Sequence, residues 1–272
     1  MTEESRFTVT YDAWVATVAL AGPDGKAVMD EQFFTELATT FTRLDEDPEV
    51  RAIVVTGSGP HFSFGLDLAS AAATFAPLRT ATDAGARQHL LALIRRWQGA
   101  LDAVANVRKP TVAAVTGWCI GGGVDLAVAC DVRVASADAQ FSVREAKVGI
   151  VADLGSLQRL VGVVGDGHLR ELALTGDDID AARAAAIGLV NSVHDDAESA
   201  RTAAGELAAR MAANSPLVLR GIKDVLDAER GPRVEAGLRY TAVWNAAFLL
   251  SDDLDEAMTS FVERRPPEFT GR

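Results

Sequence analysis

The spacing of apolar and polar positions changes period several times along the chain. Short stretches rich in Val, Thr and Ala predict two strands, Arg6–Tyr11 and Trp14–Leu20, joined at Asp12-Ala13. From Met29 to Leu44 the period lengthens. Phe33, Phe34, Leu37, Ala38, Phe41 and Leu44 share one helical face, and Asp30 stands where a cap or first-turn acid belongs. Ala52–Thr56 is a short apolar run that stops at Gly57–Pro60, the pattern of a buried strand. Residues 70–84, rich in Ala and Thr with one proline, predict an irregular segment, and Gly85–Val104 predicts a helix broken by Asn106–Pro110. Thr111–Thr116 is a second buried strand, after which Gly117–Gly123 leads into another helix, and Val132–Ala135 and Gln140–Val143 are further strands.

Beyond residue 197 the pattern is helical throughout. Ala200–Ala213, Pro216–Asp227, Val234–Leu250 and Leu254–Glu263 predict four helices, separated at Ser215-Pro216, Gly231-Pro232 and Ser251-Asp252. Strands alternating with helices, followed by helices alone, predict an α/β body over 1–196 and a helical region over 197–272. Tyr240, Val243, Trp244, Ala247, Phe248 and Leu250 make an apolar stripe that packs either on the chain's own body or on a neighbouring copy.

Charge narrows the partners. The 272 residues carry 26 Lys and Arg against 38 Asp and Glu, a net charge of −12, which argues against a protein that coats nucleic acid. With 49% hydrophobic and 24% charged residues the chain can bury a core without disulfides or a structural metal. Cys119 and Cys130 belong to no ligand cluster and read as buried thiols of a reducing compartment. The acidic start carries no secretory signal and no run is long enough to span a membrane, so a soluble, cytoplasmic protein is expected.

Several familiar motifs are absent. Gly22–Lys26 is too short for a P-loop, Gly57-Ser-Gly59 lacks the third glycine of a dinucleotide fingerprint, and no Gly-x-Ser-x-Gly elbow occurs. Four histidines, at 61, 89, 168 and 194, show no paired spacing, so no metal site is expected.

What remains is two strand-to-helix junctions and three acids. Ile53–Leu68 and Val112–Leu126 both place glycine where a buried strand exits, allowing positive φ and close approach of a ligand to the backbone. Each read alone is an ordinary turn; facing each other, they can offer one N–H apiece to a single oxygen. Asp125 lies among Val124, Leu126, Ala127 and Val128, either satisfied by first-turn N–H groups or functional. Glu145 follows twenty residues later, and Asp153 eight beyond it, after the apolar run Val148–Ala152.

Taken in order, Phe62–Leu68, Lys109–Gly117, Gly121–Ala127, Cys130–Arg133, Leu157–Leu160 and Phe261–Phe269 resemble the crotonase (enoyl-CoA hydratase/isomerase) superfamily over nearly the whole chain. The resemblance implies a crotonase-like spiral of ββα units, with a C-terminal helical region that builds a homotrimer or a dimer of trimers. It implies that the N–H groups of Leu66 and Gly122 hold a thioester oxygen as an enolate. Substrate contacts are then expected from Lys26, Phe64, Gly65, Leu66, Asp67, Leu68 and Gly122. No cofactor is implied, because coenzyme A arrives as part of an acyl-CoA thioester. Near the N-terminus the family's Arg and Asn are missing, although Pro23 and Met29 are kept.

Hydratases of this family carry Glu at the position of Asp125 and usually Gly at that of Asp153. Asp125, Glu145 and Asp153 together are instead similar to the Δ3,5-Δ2,4-dienoyl-CoA isomerase branch, with which the run Cys119–Asp125 is also shared. The resemblance makes all three catalytic. Two separate acid/base groups suit a proton moved from one end of a diene to the other better than two groups gripping one water. The alternatives are an enoyl-CoA hydratase or other crotonase-type reaction, and a non-catalytic acyl-CoA-binding protein.

Overall fold

A computed structural model describes residues 5–22, 26–80 and 83–272. Pro23 and the end of the stretch expected to be irregular, residues 81–82, lie outside the described residues. The chain repeats one unit four times: a strand of a large sheet, a short strand of a second layer, then a helix or turn. The first unit is β2 (Val15–Leu20), β3 (Val28–Met29) and α1 (Glu31–Glu46), preceded by β1 (Phe7–Asp12). The second is β4 (Ala52–Gly57), β5 (Gly65–Leu66), α2 (Leu68–Thr80) and α3 (Ala84–Ala105). The third is β6 (Thr111–Val115), β7 (Trp118–Ile120) and α4 (Gly122–Ala129). In the fourth, β8 (Val132–Ser136) and β9 (Gln140–Ser142) lead to a 3₁₀ turn, Glu145–Val148.

The large sheet runs β1-β2-β4-β6-β8-β11, where β11 is Ser192–His194; only β1 is antiparallel to its neighbour. β7 pairs with β9 and β3 with β5, both in parallel, and a bridge between Ser63 and Cys119 joins the two pairs. This is the α/β spiral that the resemblance to the crotonase superfamily implies. Both faces of the large sheet are buried, as a parallel sheet requires. Ile53, Val55, Ala113 and Val115 point into the main core, and Ala52, Val54, Val112 and Ala114 into a second cluster behind it.

Helix α9 (Ala197–Ala212) closes that second cluster, with Ala200, Ala204, Ala208 and Ala212 at four-residue spacing. The helical region expected as an appendage therefore begins with a layer of the body itself. Between β9 and α9 lie α5 (Ser156–Arg159), α6 (Val161–Val164), α7 (Asp166–Thr175), β10 (Ile179–Asp180) and α8 (Ala181–Ala186).

Two expectations need correction. Residues 68–80 are helical, not irregular: Asp67 Oδ1 accepts from the N–H groups of Ala69 and Ser70, and this cap starts an Ala-rich helix that has no apolar stripe to betray it. Nor does Gly231-Pro232 end a helix. One helix, α10, runs from Pro216 to Phe248. Proline normally clashes with the Cβ of the residue before it; Gly231 has none, and the carbonyl of Ala228 that loses its donor is on an exposed stretch. α11 (Asp252–Glu263), capped by Ser251, closes the chain.

α10 docks on its own body. Lys223 Nζ donates to Asp131 Oδ2 at 2.7 Å, and Gln158 Nε2 to Thr241 Oγ1 at 2.9 Å. Its buried face is Leu238, Thr241, Ala242 and Asn245, whereas Tyr240, Val243, Trp244 and Phe248 of the expected stripe face outward. Among the described residues, no helix is long and apolar enough to cross a membrane.

Candidate active site

The two glycine junctions meet. Gly65 has φ +75°, and a Cβ there would lie 2.5 Å from the Ile120 carbonyl oxygen and 2.9 Å from the Gly122 nitrogen. No side chain fits between the strands at that point, so β5 and the start of α4 touch backbone to backbone. Gly122 is the first residue of α4, and a helix leaves its first N–H groups without intrahelical partners. Along β5 the Phe64 N–H donates to Ala27 O and the Asp67 N–H to Met29 O, each at 3.0 Å.

Three carboxyls converge beside this junction. Asp125 sits in the first turn of α4, 1% exposed, and accepts from the Ser156 N–H at the start of α5. Burial pushes it up to about 6, against that donation and the nearby positive charge of Arg159. Glu145 opens the 3₁₀ turn, and its Oε2 is buried with no hydrogen-bond partner. Burial, reinforced by the Asp125 charge, pushes it up to about 8. Asp153 follows on the loop before α5; burial pushes it up to about 7, while a hydrogen bond from Asn245 pulls the other way and Asp125 adds to the rise.

Among the described residues, no cation forms an ion pair with any of the three. Arg159, the nearest, gives Nη2 to Asp102 Oδ1 at 2.6 Å and Nη1 to the Leu154 carbonyl. Three acids that repel one another in a dry setting titrate in the neutral range, which is what groups that both take and return a proton need.

Other residues singled out in the sequence lie around this centre with different duties. Gly65, Leu66 and Gly122 are at the junction. Phe64 stacks edge-on against His61 with ring centroids 5.0 Å apart, and Leu68 begins α2 half-buried. The Asp67 carboxylate caps α2. Lys26 lies exposed at the entry to β3, whose neighbour is β5. The Trp118 N–H donates to His61 Nδ1 at 3.2 Å, and Cys119 is buried.

Asn245 and Gln98 escaped notice in the sequence. Asn245 binds Asp153 Oδ2 at 2.7 Å and the Val151 carbonyl at 2.8 Å from α10, and Gln98 Nε2 binds the Asp153 carbonyl at 2.6 Å from α3. A signal exists for the first: Leu238, Ala242, Asn245 and Leu249 fall on one helical face, and an amide in that register must find a partner.

Comparison with known proteins gives the relatives of this chain. The sequence profile of the family described as Enoyl-CoA hydratase/isomerase matches residues 10–272. The mitochondrial Delta(3,5)-Delta(2,4)-dienoyl-CoA isomerase of Dictyostelium discoideum is 41% identical over 256 residues, covering 94% of this chain and 87% of that protein. The peroxisomal Delta(3,5)-Delta(2,4)-dienoyl-CoA isomerase of Arabidopsis thaliana is 39% identical, covering 95% and 93%. Among solved structures, an enoyl-CoA hydratase from Mycobacterium avium subsp. paratuberculosis superposes with a TM-score of 0.83 at 26% identity, covering 97% of this chain and 98% of that one. With the match spanning almost every residue from β1 to the C-terminus, the chain belongs to the enoyl-CoA hydratase/isomerase family.

Proposed function

We propose that the protein is a Δ3,5-Δ2,4-dienoyl-CoA isomerase. The observation that carries this reading is the convergence of Asp125, Glu145 and Asp153 beside the Gly65–Gly122 contact, with no cation among the described residues paired to them. The identity to two isomerases of that name supports it. In the proposed reaction a carboxylate of the Glu145–Asp153 pair takes a proton from C2 of a 3,5-dienoyl thioester. The electron pair spreads through the diene onto the thioester oxygen, which the N–H groups of Leu66 and Gly122 hold. The carbonyl re-forms as the other acid delivers a proton to C6, leaving a conjugated 2,4-diene. One proton leaves the substrate and one returns, so the pair ends with its proton on the opposite member and resets by exchange. Asp125, bound to the Ser156 N–H, raises both partners through its charge and keeps their protons mobile near neutral pH.

The substrate is read as an acyl-CoA thioester, with Phe64, Leu66 and Leu68 facing the acyl end and Lys26 the nucleotide phosphates. The working unit is a homotrimer or a dimer of trimers, for which the outward row Tyr240, Trp244 and Phe248 supplies an apolar contact. The test is direct: 3,5-dienoyl-CoA is added and the rise of the conjugated 2,4-dienoyl absorbance is followed. A second reading, enoyl-CoA hydration, is favoured by the likeness to an enoyl-CoA hydratase structure. It predicts solvent oxygen in the product by mass spectrometry when a 2-enoyl-CoA is supplied.

A further inference from the structure

The two proposed proton carriers are held very differently. Glu145 Oε2 is buried without any hydrogen bond. Asp153 is gripped from two sides. On one, α10 supplies Asn245, 1% exposed, whose Nδ2 donates to Asp153 Oδ2 at 2.7 Å and to the Val151 carbonyl at 2.8 Å. On the other, α3 supplies Gln98, which is fully buried. Its Nε2 donates to the Asp153 carbonyl at 2.6 Å and to the Leu238 carbonyl of α10 at 3.0 Å, and its Oε1 accepts from Arg95 at 2.9 Å.

The amide of Asn245 cannot turn over. The Val151 carbonyl only accepts, so the nitrogen must stay on that side, and the same nitrogen faces Asp153. Asp153 Oδ2 therefore always meets a donor, which favours the ionised carboxylate. It also ties the carboxylate to α10 through Oδ2.

We infer that Asn245 is a positioning residue, which locks the Asp153 carboxylate in one orientation and makes it the member of the pair that carries the negative charge before turnover. Glu145, whose Oε2 has no side-chain or backbone partner, holds the proton. This inference rests on the isomerase reading for its role in turnover, but the bond from Asn245 to Asp153 acts on the carboxyl whatever the substrate.

The other charged groups around Asp153 are accounted for. Asp125 on α4 disfavours its ionisation, and the Asp153 charge in turn raises Glu145 on the 3₁₀ turn. Arg159 on α5 is tied to Asp102 of α3, and Arg95 reaches it only through Gln98. Asn245 is thus the one side chain among the described residues that donates directly to its carboxylate.

The experiment follows the protonated-carboxyl infrared band of Asp153 through a pH titration, assigned by its loss in Asp153→Asn. Asn245→Leu should raise the midpoint by about one to two pH units, the worth of one hydrogen bond to a charged group. Asn245→Ser, too short to span both partners, is the second variant and should shift it in the same direction. In turnover, the acid limb of the kcat profile should move by the same amount, with KM unchanged within about twofold. An unmoved midpoint in a variant that keeps its melting transition overturns the inference. Absence of dienoyl isomerisation by the wild type overturns the proposed function instead, and leaves the titration to decide the role of Asn245.

Discussion

A Cβ on Gly121 would lie 3.3 Å from Glu145 Oε1. The N-cap of α4 is thus a wall beside the Glu145 carboxyl, and a methyl there makes that carboxyl give by a few tenths of an ångström. Gly121 also has φ +52° and ψ −118°, a region closed to side-chain-bearing residues. Gly121→Ala should combine backbone strain of about 1–3 kcal/mol with displacement of Glu145. Turnover should fall by about tenfold, below the ~10²-fold scale for a reacting group moved by a full ångström. Steady-state kinetics alongside a thermal melt measures both, and full activity in a destabilised variant would show that Glu145 tolerates the shift.

The raised carboxyls make stability fall with pH. Folding lifts Glu145 from 4.5 to about 8 and Asp153 from 3.8 to about 7, so between those values the folded chain holds more protons than the unfolded one. Their favourable contribution is fully present below about pH 4 and is lost as pH climbs through 7 and 8. Glu145→Gln cannot ionise, so its unfolding free energy relative to wild type should rise from about pH 5 to about pH 8, by up to a few kcal/mol at about 1.36 kcal/mol per unit, and then level off. A constant difference across that range would mean that the Glu145 carboxyl is hydrated.

Turnover should depend on pH as a bell. One member of the pair must be ionised and the other protonated, and the pair titrates with apparent values near 7 and 8. The maximum of kcat should lie between them. Glu145→Gln and Asp153→Asn should each lower kcat by about 10²–10⁴-fold and erase one limb. Wild-type rates in either would remove the proton relay.

Much of this site is legible in the sequence, because its parts are local. Strand periods place the buried runs before Gly57 and Gly117, and the spacing of Asp125, Glu145 and Asp153 survives folding as a cluster. The positioning of Asp153 is not legible. Asn245 lies 92 residues away on a helix whose conspicuous aromatic row faces outward, so that the quieter buried face goes unread. α2 is hidden for a related reason: an Ala-rich segment has no contrast between faces, and Pro77 reads as a breaker although the Asp67 cap starts the helix nine residues earlier.

The backbone contact at Gly65 predicts a sharper failure than the one at Gly121. A methyl there meets the Ile120 carbonyl and the Gly122 nitrogen, neither of which can swing aside like a side chain. Gly65→Ala must part the two junctions and with them the proposed pair of donors. Loss of one such donor costs about 2.7–4 kcal/mol of transition-state stabilisation, so kcat should drop by about 10²–10³-fold. Affinity for a non-reactive acyl-CoA, measured by calorimetry, should change much less. Equal losses in both would place the residue in ground-state binding.

The outward row on α10 predicts assembly. Trp244 is 42% and Phe248 61% exposed, with ring centroids 4.7 Å apart, and Tyr240 and Val243 extend the patch along the helix. Contiguous exposed aromatics of this kind mark an interface. The opposite face of the same helix holds Asn245 and Leu238 against the body, so charges placed on the row should leave the site and the fold intact. Wild type is expected to elute as a trimer or a dimer of trimers by light scattering, and Trp244→Glu combined with Phe248→Glu as a smaller species with an unchanged circular dichroism spectrum. Retention of the wild-type mass by the double variant would show that subunits meet elsewhere, and that the row serves another contact.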